Sequence, residues 1–130
     1  MIAVDTSAIL AILCNEEESH RFNEILAADD NTVMSAANYA EAGIVLQKRY
    51  GPAGLHYLLL LVTRARIAIE PVDAEQAEAA IRAYAAFGKG NHEAGLNFGD
   101  CFAYALARQR EIPLLFRGED FGRCDVTPAV

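Results

Sequence analysis

Four short apolar runs, spaced by segments long enough for helices, most constrain what this chain can fold into. Ile2-Ala3-Val4, Thr32-Val33-Met34, Ile67-Ala68-Ile69 and Pro113-Leu114-Leu115-Phe116 each have strand length and apolar or β-branched composition. Helix signals fill the intervals. Thr6 or Ser7 can cap a segment through Leu13, and Glu16-Glu17-Glu18 opens another that carries Phe22, Ile25 and Leu26 at helical spacing. Ser35 can cap a helix from about Ala36 to Tyr50, Gly51-Pro52 ends it, and a further helix holds Leu55, Leu58, Leu59 and Val62. Asp73 caps a helix to about Phe87, GKGNHEAG (88–95) is a polar loop, and Asn97 caps a helix from Phe98 to Arg110. Arg117 to Phe121 reads as a turn, and Val126 as part of a last short strand. Strands alternating with helices predict an α/β sandwich with a central, mostly parallel sheet flanked by helices. With 130 residues and no repeat or linker, the expectation is one domain over 1–130.

Composition narrows the function classes. A hydrophobic share of 53% excludes a disordered chain. Cys14, Cys101 and Cys124 are odd in number and form no CxxC, which argues against a disulfide framework or zinc site and for a reducing, cytoplasmic setting. The apolar run Leu55 to Val62 is too short to span a bilayer, and the N-terminus lacks the basic start of a signal peptide. That run suits either core burial or an interface with a dimer partner or a partner helix. A net charge of −7 opposes passive, charge-driven nucleic-acid binding, but not a site where metal ions supply the positive charge.

In an open parallel sheet, ligands bind beyond the carboxyl ends of the strands. Asp5 sits there after the first strand, and Asp120 follows the fourth within reach of the same edge. Asp100 lies in the first turn of its helix, and Glu41 inside the helix after strand two. Four carboxylates in one pocket would raise one another's pKa values or hold a cation, and hard oxygen donors suit Mg²⁺ or Mn²⁺. Each acid also has a structural reading. Asp5 could cap the next helix, Glu41 could be exposed, Asp100 could complement the helix dipole, and Asp120 could be a turn residue with Glu119 as its alternative. Thr6 and Ser7 are caps or positioning groups, and His20, His56 and His92 share no motif. No P-loop, GxGxxG or Ser/His/Asp arrangement is present.

Four stretches together resemble the PIN-domain ribonucleases, and within them the VapC-type toxins of bacterial toxin–antitoxin modules. They are MIAVDTSAILAIL, MSAANYAEAGIVL, LNFGDCFAYALAR and LLFRGEDFGRCDV, which place the family's acids at Asp5, Glu41, Asp100 and Asp120. The resemblance implies a PIN fold and Mg²⁺- or Mn²⁺-dependent cleavage of RNA phosphodiesters by a metal-activated water, with Thr6, Ser7 or Arg117 positioning water or phosphate. It also implies a cognate antitoxin and a homodimer. Phe116 stands where many relatives carry Thr or Ser, and Arg117-Gly118 where an acid or Asn is frequent. Of the basic clusters, Lys48-Arg49, Arg64 with Arg66, and Arg108 with Arg110 read as solvated charges, whereas Arg117 and Arg123 flank the fourth acid and could hold phosphates. The rivals are an inactive PIN-like scaffold and another Mg²⁺ enzyme on a doubly wound sheet. A phosphatase of the aspartyl-phosphate class needs DxD, where this chain has Asp5-Thr6-Ser7.

Overall fold

The computed structural model describes residues 1–130. Its strands are β1 (Ile2–Val4), β2 (Thr32–Ser35), β3 (Ala68–Glu70) and β4 (Leu114–Leu115). Its helices are α1 (Thr6–Leu13), α2 (Ser19–Ala28), α3 (Ala36–Tyr50), α4 (Pro52–Arg64), α5 (Ala74–Phe87) and α6 (Phe98–Arg110). The strands form one sheet in the order β3-β2-β1-β4, and every pairing is parallel.

The side chains alternate across the sheet, as pleating requires. Ile2, Val4, Met34 and Leu115 join the core under α1 to α4. Ala3, Val33 and Leu114 join the opposite core under α5 and α6. Both faces are covered, so β1 and β2 are buried along their whole length and show no polar alternation.

The topology selects one end of this sheet. The chain steps outward from β1 to β2 to β3, then crosses back to place β4 on the other side of β1. The order reverses between β1 and β4, which is where a parallel sheet opens a crevice at its carboxyl edge. Asp5 ends β1, and its N–H donates to the Leu115 carbonyl of β4 at 3.0 Å.

Three local expectations are corrected. The cap of α1 is Asp5 itself, whose Oδ2 accepts the Ser7 N–H at 2.9 Å, rather than Thr6 or Ser7. Strand β3 starts at Ala68, one residue later than the apolar pattern suggested. Val126 lies outside any strand: the outer edge of β4 is closed by Thr127 to Ala129, through Leu114 N–H to Thr127 and Ala129 N–H to Leu114. A two-residue strand has little edge to protect, and this short strap covers it.

The run Leu55 to Val62 divides along the axis of α4. Leu58 and Leu61 are buried, whereas Leu55, Tyr57, Leu59 and Leu60 stand exposed. Gly54 explains the close fit at the start of α4. A Cβ there would run into the Leu46 carbonyl, so glycine lets α3 and α4 meet backbone to backbone. The three cysteines are free, and no helix is long and apolar enough to cross a membrane.

Candidate active site

Asp5 is 2% exposed, and its two carboxylate oxygens have different surroundings. Oδ2 caps α1, while Oδ1 is buried without a hydrogen-bond partner. Burial pushes this carboxyl up to about 6, against the lowering effect of the Ser7 hydrogen bonds and with some help from the charge of Glu41. A buried acceptor left unmatched is costly, and in a folded protein it calls for a role beyond the cap.

Glu41 comes from α3 and is held from two sides. The Thr6 hydroxyl donates to its Oε1 at 2.5 Å. On the other side its carboxylate lies against Gly99 of α6, where any side chain would collide with it; a Cβ would stand 2.7 Å from Cδ. Gly99 is therefore the notch that admits Glu41 between α3 and α6.

Asn38, one helical turn before Glu41, ties the same three elements. It is fully buried, and its Nδ2 donates to Thr6 Oγ1 at 3.3 Å and to the Gly99 carbonyl at 2.9 Å. Its Oδ1 is the second buried polar atom without a partner. Sequence reasoning missed Asn38 and Gly99. Asn38 was detectable as a polar residue three positions before an acid on one helix face, and Gly99 as a glycine in the first turn of a helix, where propensity disfavours it.

Asp100 stands in the first turn of α6 in a reciprocal capping box with Asn97. Asn97 Oδ1 accepts the Asp100 N–H at 2.9 Å, and Asp100 Oδ2 accepts the Asn97 N–H at 3.0 Å. Its carboxyl is pushed up to about 7, first by burial and then by the negative charges of Asp5, Asp120 and Glu41, against the Asn97 hydrogen bond. Those charges act on Asp100 from three other elements, so the fold brings the four acids into one field. Glu119 behaves differently: it is 87% exposed on its side chain and pairs with Arg123 at 3.6 Å.

The positioning residues are placed less simply. Thr6 reaches Glu41, as described. Ser7 Oγ accepts the Arg117 N–H at 2.9 Å, which ties α1 to the loop after β4. The Arg117 guanidinium turns to Glu18, with Nε at 2.9 and 3.1 Å from its two oxygens, and lies 3.9 Å from Glu16. Its charge is thus matched within the protein. Phe116, in place of a hydroxyl residue, packs on Phe121 with ring centroids 5.1 Å apart. The histidines stay apart from the acids: His20 pairs with Glu24 at the surface, and His92 Nδ1 accepts the Ala94 N–H.

No three acidic, histidine or cysteine side chains are drawn together as a ready coordination set. Thr6 holds Glu41, and Asn97 holds one oxygen of Asp100. The donor chemistry nevertheless suits a hard divalent cation. The donors are carboxylate oxygens, Asp5 Oδ1 has no other partner, and Asp5 and Asp100 resist ionisation without a counter-charge.

The sequence and the fold are shared with known proteins. The profile of the PIN domain family matches residues 2–126. The chain is 48% identical over 128 residues to ribonuclease VapC28 of Mycobacterium tuberculosis, spanning 98% of this chain and 96% of that protein. It is 47% identical over 125 residues to a ribonuclease VapC of Mycolicibacterium smegmatis, spanning 96% and 97%. Among solved structures it is similar to VapC20 of Mycobacterium tuberculosis, described as a toxin that cleaves the sarcin–ricin loop. There the TM-score is 0.79 at 18% identity, covering 98% and 97% of the chains. It is also similar to VapBC2 of Rickettsia felis bound to a promoter DNA fragment, with a TM-score of 0.74 at 16% identity, covering 98% and 96%.

Proposed function

Because the chain belongs to the PIN-domain family, we propose that it is a divalent-metal-dependent ribonuclease, the toxin of a toxin–antitoxin module. The observation that carries this reading is Asp5 Oδ1, buried and unmatched at the reversal point of the sheet; the charges of Asp5, Asp120 and Glu41 acting on Asp100 support it. The names of the chain's relatives supply the reaction class.

Asp5, Glu41 and Asp100 would hold Mg²⁺ or Mn²⁺, with Asp120 completing the set. Asp120 is preferred to Glu119 because Asp100 feels the charge of Asp120, while Glu119 is turned to Arg123. When bound, the cation supplies Lewis-acid stabilisation of phosphoryl charge and acidifies water. The chain's own residues set the geometry. Thr6 and Asn38 fix the Glu41 carboxylate and the Gly99 backbone, and the capping box fixes Asp100. Ser7 and Arg117 position the site indirectly, by holding the loop that carries Asp120 against α1 and α2.

We assign the chain two protein partners, a cognate antitoxin and a second copy of itself. The solved relatives include a toxin–antitoxin complex from Klebsiella pneumoniae, alike at a TM-score of 0.70. Exposed apolar residues on α4, among them Tyr57 and Leu60, line a groove of about 370 Å³ with Ile12 and Leu13 that suits an apolar segment of such a partner. The site of action is the cytoplasm.

The decisive experiment is RNA cleavage by the purified chain with Mg²⁺ or Mn²⁺, with EDTA, and with Asp100→Asn. Cleavage that needs the metal and is lost in Asp100→Asn supports the reading. Equal inactivity of both folded proteins on varied RNAs favours a scaffold, and equal cleavage by both refutes the site.

A further inference from the structure

A groove of about 700 Å³ runs between α5 and α6, lined by Ile81, Tyr84, Lys89, Asn97, Phe98 and Phe102 among others. Its most exposed aromatic is Phe98, at 77%. A phenyl ring left this far in water contributes little to folding. The start of α6 does not require it either, because the Asn97–Asp100 capping box sets that helix end. The ring is nevertheless braced. Phe102, one turn on, packs against it edge to face with centroids 4.9 Å apart and planes at 67°.

Resting on the ribonuclease reading, we propose that Phe98 is a base-stacking residue that receives an unpaired nucleobase of the RNA beside the phosphodiester presented to the acids. Three observations favour this occupant. First, the groove is joined to one of the acids through a shared residue. Asn97 lines the groove and also exchanges two hydrogen bonds with Asp100, so an RNA whose phosphate reaches Asp100 lays its neighbouring nucleoside along Phe98. Second, the groove carries Lys89, which enters none of the chain's ion pairs. In a protein of net charge −7, an unpaired cation in this groove matches a phosphate backbone. Third, Asn97 uses its Oδ1 on the Asp100 N–H, which leaves its amide NH₂ to donate to a base edge or a ribose hydroxyl. Aromatic platforms beside a cationic track are how proteins hold single-stranded RNA, and every base has a face to stack.

The test uses the Asp100→Asn chain, in which cleavage is silenced, and a fluorescein-labelled, unstructured oligoribonucleotide. A second oligomer has the same backbone with abasic riboses. Phe98→Ala and Phe98→Leu should weaken binding of the first oligomer by roughly five- to 150-fold, and Phe98→Trp should bind like the parent. The abasic oligomer should not distinguish these variants. Phe98→Leu keeps the apolar bulk without the aromatic face, so it separates stacking from burial, and thermal melts confirm that each variant is folded. Binding unchanged in Phe98→Ala or Phe98→Leu overturns the proposal, as does a loss that persists on the abasic oligomer. A fall in particle mass by light scattering for Phe98→Ala, with RNA binding retained, assigns the ring to a second copy instead. If the wild type cuts no RNA and the parent binds none, the ribonuclease reading itself fails. If the wild type cuts and the Phe98 variants bind like the parent, only the stacking role fails.

Discussion

Replacing Asp5 by asparagine should make the metal-free protein more stable, although the side chain is buried at the centre of the site. The carboxyl is raised from 3.8 to about 6, chiefly by burial. The folded chain thus binds more protons than the unfolded chain between these values, and stability falls as pH rises through that window. About two pKa units correspond to roughly 3 kcal/mol, present in full near pH 8 and absent near pH 4. Asparagine retains an oxygen to accept the Ser7 N–H and so keeps the cap of α1. Its amide nitrogen would replace the unmatched Oδ1 and carry no charge into the buried site. In EDTA near pH 8, Asp5→Asn should therefore melt on the order of 10 °C above the wild type, and near pH 4 the two should coincide within a few degrees. Excess Mg²⁺ or Mn²⁺ should narrow the difference at high pH, because the cation stabilises only the chain that keeps its ligand. Circular dichroism melts at the two pH values, with EDTA or metal, test this directly. A destabilised Asp5→Asn near pH 8 in EDTA, or an equal gain at both pH values, would refute the argument that burial of this charge opposes folding.

Two further outcomes follow from the packing. Gly99→Ala should fold with a loss of about 1–3 kcal/mol, because the new methyl must displace the Glu41 carboxylate. Its metal-dependent cleavage should fall on the order of 100-fold, and unchanged cleavage would show that the seat of Glu41 is not needed. On α4, Leu58→Ala should cost about 2–5 kcal/mol in urea denaturation, since Leu58 is fully buried. Leu60→Ala, at a side chain 54% exposed, should stay within about 0.5 kcal/mol, and equal losses would contradict the division of this run into core and surface.

What could be read from the sequence was chemistry that acts over a few residues. The strand-ending position of Asp5 followed from an apolar run of strand length, and Asn97 as a cap followed from its side chain reaching the next turn of its own helix. The ends of α3, α5 and α6 were legible for the same reason: Ser35, Asp73, Gly51 and Asn97 act on backbone groups within their own turn. The alternation of strands and helices then restricted the fold to a parallel sheet covered on both faces. The tertiary structure decided everything that joins distant segments. The Thr6–Glu41 bond spans 35 residues, the Asn38–Gly99 bond 61, and the Arg117–Glu18 pair 99. No local pattern encodes such contacts, because they depend on how helices from both faces of the sheet meet at its carboxyl edge. The order β3-β2-β1-β4 brings Asp5 beside the loop that carries Asp120, and the missing side chain of Gly99 lets Glu41 reach the same place. The positions of the acids were local facts, whereas the raised pKa values of Asp5 and Asp100, caused first by burial and then by the neighbouring negative charges, exist only after packing has removed the surrounding water.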